Sequence, residues 1–117
     1  MAEKKFTEVK DSGARQEFQT GSVRDTQEGK GRYDLISTKA LRRLAVHYEN
    51  GAKKYGDRNW EKGFPMSRAM DSAMRHINQY REGHRDEDHL AQAIWNLACA
   101  LHFEEVKPEC DELPKYF

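Results

Sequence analysis

Asp86–Glu105 reads DEDHLAQAIWNLACALHFEE, and its reading decides the fold. Leu90, Ala91, Ala93, Ile94, Trp95, Leu97, Ala98, Cys99, Ala100, Leu101 and Phe103 leave it almost no polar face. A helix that is apolar nearly all round is expected to be buried. His89, Gln92 and Asn96 interrupt it at spacings of three and four, so they share one lane on its surface. Buried polar groups are costly without partners, so a side chain, water, metal or ligand must meet that lane inside the protein.

Two further helices precede it. Ser37 and Thr38 are N-cap candidates for a helix running to about Lys53, with Leu41, Leu44, Ala45, Tyr48 and Ala52 as its apolar stripe. Glu49 lies on the shoulder of that stripe and is also placed for an i,i+4 pair with Lys53. Pro65 suits the opening of a second helix over Met66–Arg81, whose face is Met66, Ala69, Met70, Ala73, Met74, Ile77 and Tyr80. His76 stands on its shoulder. Gly83 closes that helix, and Asp86 and Asp88 offer N-caps for the apolar one.

No strand pattern of any strength and no repeat is present, so the expected class is all-α: three main helices with short extra turns. The expected layout is an extended arm over residues 1–30, a helical domain over 31–107 and an irregular acidic tail over 108–117. At 117 residues, with 37% hydrophobic and 34% charged, the core must be small or completed by a second chain, and at least a homodimer is expected.

Charge narrows the partners. Twenty basic and twenty acidic residues cancel, which argues against nucleic acid and membrane surfaces. The charge is unevenly spread, with a basic middle over residues 39–62 and an acidic end beyond Asp86. Two cysteines make no disulfide framework, and Met1–Lys10 lacks the apolar run of a signal peptide, so a cytoplasmic location is expected. The Gly29–Lys30–Gly31 triplet is not a phosphate-binding P-loop, since no Ser or Thr follows the lysine.

The loop GAKKYGDRNWEKGFP carries Lys53, Lys54 and Arg58 beside Tyr55, Trp60 and Phe64, with Asn59 among them. Cationic groups interleaved with rings suit a nucleotide; equally, the rings can cap the core while the charges stay in water. Packing the last two helices as a hairpin makes His76 and His89 neighbours, and Glu49 joins them if the first helix crosses the same end. Two imidazoles and a carboxylate suit a divalent transition metal. Further oxygens from Asp71, Asp86, Glu87 or Asp88 would shift preference to Mg²⁺ or Mn²⁺.

Three segments carry a resemblance: GARQEFQTGSVRDTQEGKGRYDLIS, ALRRLAVHYENGAKKYGDRNWEKG and SRAMDSAMRHINQYREGHRDEDHLAQAIWN. Together they resemble the phage and prophage dATP/dGTP diphosphohydrolase family, relatives of the MazG-like all-α nucleoside triphosphate pyrophosphohydrolases. The resemblance spans roughly Gly13 to Glu105. It implies cleavage of dATP or dGTP to the monophosphate and pyrophosphate with a divalent metal, Mg²⁺ or Mn²⁺. It implies Glu49, His76 and His89 at the metal and its water. It also implies Lys53, Lys54, Arg58, Asn59 and Asn96 on the substrate, with Tyr55 or Trp60 against the base. MazG-like enzymes usually bind Mg²⁺ through Glu-x-x-Glu and Glu-x-x-Asp, whereas the corresponding positions here are Ser72, Arg75, His89 and Gln92. That departure keeps two other readings open: a nucleotide-binding subunit without turnover, and a structural helical interaction module.

Overall fold

A computed structural model describes residues 8–116, in two units, Met1–Leu35 and Ile36–Phe117. In the first, β1 (Arg15–Glu17) and β2 (Val23–Asp25) pair antiparallel, with Arg15 opposite Asp25 and Glu17 opposite Val23. The turn is closed by the Phe18 amide donating to the Ser22 carbonyl (3.0 Å) and the Gly21 amide to the Phe18 carbonyl (2.8 Å). Asp25 holds the following loop by accepting from Lys30 Nζ at 2.9 Å. The sequence gives no sign of these strands because each is three residues long and neither has a buried side to impose alternation. The part of the expected arm over residues 1–7 lies outside the described residues.

The second unit is helical, as expected. α1 (Thr38–Tyr55) is capped by the Ser37 hydroxyl, which accepts from the Ala40 amide at 3.1 Å. α2 (Met66–Arg81) follows Pro65, and α3 (His89–Val106) follows Asp88. Short 3₁₀ turns at Asn59–Lys62 and Pro108–Cys110 supply extra turns here, and another, Tyr33–Leu35, belongs to the first unit. Among the described residues no helix is long and apolar enough to cross a membrane.

α2 and α3 form an antiparallel hairpin brought close by small residues, Ala69, Ala73, Ala93 and Ala100, all buried. α1 packs on α3 in the same sense: Arg43 pairs with Asp88 at its start, and Tyr48 meets Trp95 further along. Met66, Ala69, Cys99, Ala100 and Phe103 are the core, with Trp60, Phe64, Met70, Trp95, Cys110 and Leu113 packed around it.

The tail contributes to this unit. Pro65 has no side chain to cap α2, and Glu112 does so from 45 residues away, accepting from the Ser67 amide (2.9 Å) and hydroxyl (2.6 Å). Gly63 sits at φ 94°, and a Cβ there would lie 2.8 Å from Cys110 Sγ. The turn before α2 and the tail therefore fit together only with glycine at that position.

One expectation is corrected. α3 is not buried all round: Ala91, Ala93, Cys99, Ala100 and Phe103 are covered, whereas Leu90, Ile94, Leu97 and Leu101 are exposed. Three helices give α3 two neighbours, and two neighbours cannot surround it.

Candidate functional site

The polar lane of α3 is met by protein groups. Asn96, buried, donates from Nδ2 to the Ser72 hydroxyl (3.2 Å) and to the Gln92 carbonyl (2.8 Å), and the Gln92 side chain donates to Glu87 Oε1 (3.0 Å). His89 is 2% exposed and His76 is 5% exposed, and their Nδ1 atoms are 2.9 Å apart. His89 Nε2 lies 3.1 Å from Asp86 Oδ1. An ionised carboxylate only accepts, so His89 donates from Nε2, accepts at Nδ1 from His76, and leaves His76 Nε2 with the lone pair. Burial, and then the Arg75 charge, push the His76 pKa below its ordinary value. The His89 hydrogen bond holds the Asp86 carboxyl below the usual carboxylate range.

Asp86, Glu87 and His89 each offer a donor atom, all within 4.8 Å of one another. Asp88 points elsewhere: its carboxylate caps α3 through the Ala91 amide (3.1 Å) and is gripped by both Arg43 Nε (2.9 Å) and Nη2. That double contact lowers the Asp88 pKa, Arg43 being the larger cause.

A second feature lies along the other side of α3. A groove of about 730 Å³ is lined by Tyr55, Arg58, Asn59 and Trp60, with Glu49 from α1 and Trp95 from α3. Trp60 stands edge-on to Tyr48 (5.9 Å) and to His102 (4.8 Å), and Trp95 stacks with Phe64 at 6.2 Å. Trp60 is thus both a core cap and a groove wall. Arg58 adopts φ 58°, a left-handed conformation that non-glycine residues seldom take, and its guanidinium pairs with Glu61 at 2.7 Å. Local strain of this kind is common at binding loops.

The structure therefore divides the expected residues. Glu49, Tyr55, Arg58, Asn59 and Trp60 share the groove. His76 and His89 meet each other at the hairpin end, as the hairpin geometry requires. Glu49 does not join them: it pairs with Lys53 at 3.1 Å, and no group of metal donors among the described residues contains it. The expected Glu49–His76–His89 triad is not assembled, because α1 meets the start of α3 through Arg43, six residues before Glu49. Lys53 and Lys54 stand outside the groove lining, Lys54 over the Tyr55 ring at 5.3 Å. Asn96 is turned to Ser72 on α2 rather than to the groove.

In the sequence Trp95 is one more apolar residue of the helix, whereas in the fold it lines the groove. Its place a residue before Asn96, on the flank of α3 away from the polar lane, is the signal that it faces α1. His47 was not singled out either; it stands edge-on to Trp95 at 5.4 Å, and burial lowers its pKa.

A family model described as dATP/dGTP diphosphohydrolase, N-terminal, matches residues 20–113. The chain belongs to that family. No curated protein and no solved structure matches it. The matched span of this dATP/dGTP diphosphohydrolase N-terminal domain contains all three helices, the groove and the imidazole pair. Its helices and short turns are consistent with the all-α MazG-like fold.

Proposed function

We propose that the chain hydrolyses purine deoxynucleoside triphosphates, dATP or dGTP, to the monophosphate and pyrophosphate. The observation that carries this reading is the groove: its volume suits a nucleotide, and tryptophan and tyrosine rings sit beside Arg58 and Asn59. Trp60 and Tyr55 stack on the purine, Asn59 bonds its edge, and Arg58 meets phosphate oxygens, with Lys53 and Lys54 adding positive charge nearby. Water attacks the α-phosphorus, the bond from that phosphorus to the β-bridging oxygen breaks, and pyrophosphate leaves with the electron pair. Glu49, the α1 carboxylate in the groove, takes the water's proton.

The family also implies a divalent cation, and the hairpin end fits one. Asp86, Glu87 and His89 would hold it, a mixed oxygen and nitrogen set that suits Mn²⁺ at least as well as Mg²⁺. A cation on His89 Nε2 would displace the proton that this nitrogen donates to Asp86 and would reverse the imidazole pair, with His89 donating from Nδ1 to Nδ1 of His76 and His76 carrying its own proton on Nε2. When bound, the cation neutralises charge on phosphate oxygens. His76 is thus a positioning residue in this reading.

The protein has two tryptophans, and both line the groove, so intrinsic fluorescence reports on it directly. Saturable quenching by dATP and dGTP, lost in Trp60→Ala, is the expected result. No response to any nucleotide, with or without Mn²⁺, would remove the groove from the reading.

A further inference from the structure

Among the described residues one buried side-chain polar atom has no hydrogen-bond partner, Oε1 of Gln79. A buried acceptor without a donor is costly and calls for a reason. Gln79 lies in the last turn of α2, and its backbone carbonyl accepts from the His84 amide at 3.0 Å, which ties it to the turn leading to Asp86. It is also the third polar residue of a lane. Ser72, His76 and Gln79 follow one another at spacings of four and three, so they share one face of α2. Ser72 meets Asn96 and His76 meets His89, so that lane is turned to α3. The first two members have their partners, and the third has none.

We propose, given a divalent cation at Asp86, Glu87 and His89 as in the preceding subsection, that Gln79 is a positioning residue for it: Oε1 accepts the Nε2 proton that His76 carries when His89 ligates. Without a cation His89 keeps its proton on Nε2 for Asp86, His76 donates from Nδ1, and His76 Nε2 is a lone pair. A lone pair and a carbonyl oxygen have nothing to give each other. With His89 Nε2 committed to a cation, the pair reverses and the His76 proton moves to Nε2.

His76 is 5% exposed, so that proton needs an acceptor within the protein. Gln79 follows one turn along the same face, the neighbour a helical side chain reaches at i,i+3. Gln79, His76 and His89 then form one chain of hydrogen bonds running in a single direction, in which each group fixes the tautomer of the next. The orphaned oxygen thus marks a hairpin end whose polar groups are all satisfied only in the loaded form.

Mn²⁺ binding to the full chain, followed by the paramagnetic resonance of the free ion, tests this together with thermal unfolding. Gln79→Met keeps the length of the side chain, removes the acceptor and should weaken Mn²⁺ binding about tenfold. Gln79→Glu keeps an acceptor there and should bind at least as tightly as wild type. Without metal, Gln79→Met should leave Tm unchanged or raise it, because an unpaired acceptor is gone; a glutamine of purely structural use would lower it. Long-range proton–nitrogen spectra of the wild type should show the His76 proton on Nδ1 without metal and on Nε2 with saturating Mg²⁺, a result that needs no variant to fold. A wild type that binds no Mn²⁺ would overturn the cation site, and this role with it. Wild-type binding that Gln79→Met leaves unchanged, or a His76 proton that stays on Nδ1 in the Mg²⁺-loaded protein, would keep the cation and overturn the role of Gln79.

Discussion

Replacing Asp88 separates the two ties that fix the start of α3. One carboxylate both caps the helix, through the Ala91 amide at 3.1 Å, and pairs with Arg43 of α1. Loss of a cap costs about 1 kcal/mol. The ion pair is worth less than its geometry suggests, because Arg43 is 57% exposed and water screens it, so it adds little to the cap. A negative charge at a helix N-terminus adds about 0.3 kcal/mol more. Asp88→Ala should therefore cost about 1.5 kcal/mol, lowering Tm by roughly 6–12 °C for a domain of this size. Asp88→Asn keeps the cap and should cost only about 0.5 kcal/mol. Thermal unfolding of both variants, and of each combined with Arg43→Ala, at one protein concentration, gives the partition as a double-mutant cycle. Equal losses for Asp88→Asn and Asp88→Ala would refute the argument, since they would make charge rather than capping the principal tie. The consequence reaches the site, because this cap sets the first turn on which Asp86, Glu87 and His89 gather.

Glu112 gives a pH test. Hydrogen bonds from the Ser67 hydroxyl, and then its amide, depress the Glu112 pKa. Its contribution is therefore complete above the unfolded carboxyl value of about 4.3 and is lost as pH falls through the lower folded value. Glu112→Gln should flatten the acid limb of Tm against pH; an unchanged limb would mean that the tail does not cap α2. Gly63→Ala should lower Tm by an amount corresponding to about 1–3 kcal/mol, through its φ and the Cys110 contact, and a neutral substitution would show that the tail gives way.

The three helices were legible because each carries its own punctuation. Ser37 caps α1, Pro65 precedes α2, and Asp88 caps α3, so period and boundary agree. The meeting of His76 with His89 was legible too, since a short hairpin leaves those positions no other neighbour. Glu49 was not, because its place depends on how far α1 slides along α3, and that register is made by contacts distant in sequence, the packing of His47 and Tyr48 on Trp95 together with the Arg43–Asp88 pair. The β-hairpin was hidden by its brevity. The exposed row of α3 was hidden for a different reason: an apolar stripe reads the same whether its cover comes from one chain or two.

The cleavage chemistry is tested most directly by product analysis. Purified protein is incubated with each deoxynucleoside triphosphate and Mg²⁺ or Mn²⁺, and the phosphorus products are resolved. The account predicts equal amounts of monophosphate and pyrophosphate from dATP or dGTP, with turnover abolished by chelation. Turnover should also fall by at least about tenfold in Glu49→Gln. Release of orthophosphate or of intact triphosphate, or no turnover with either metal, would contradict it.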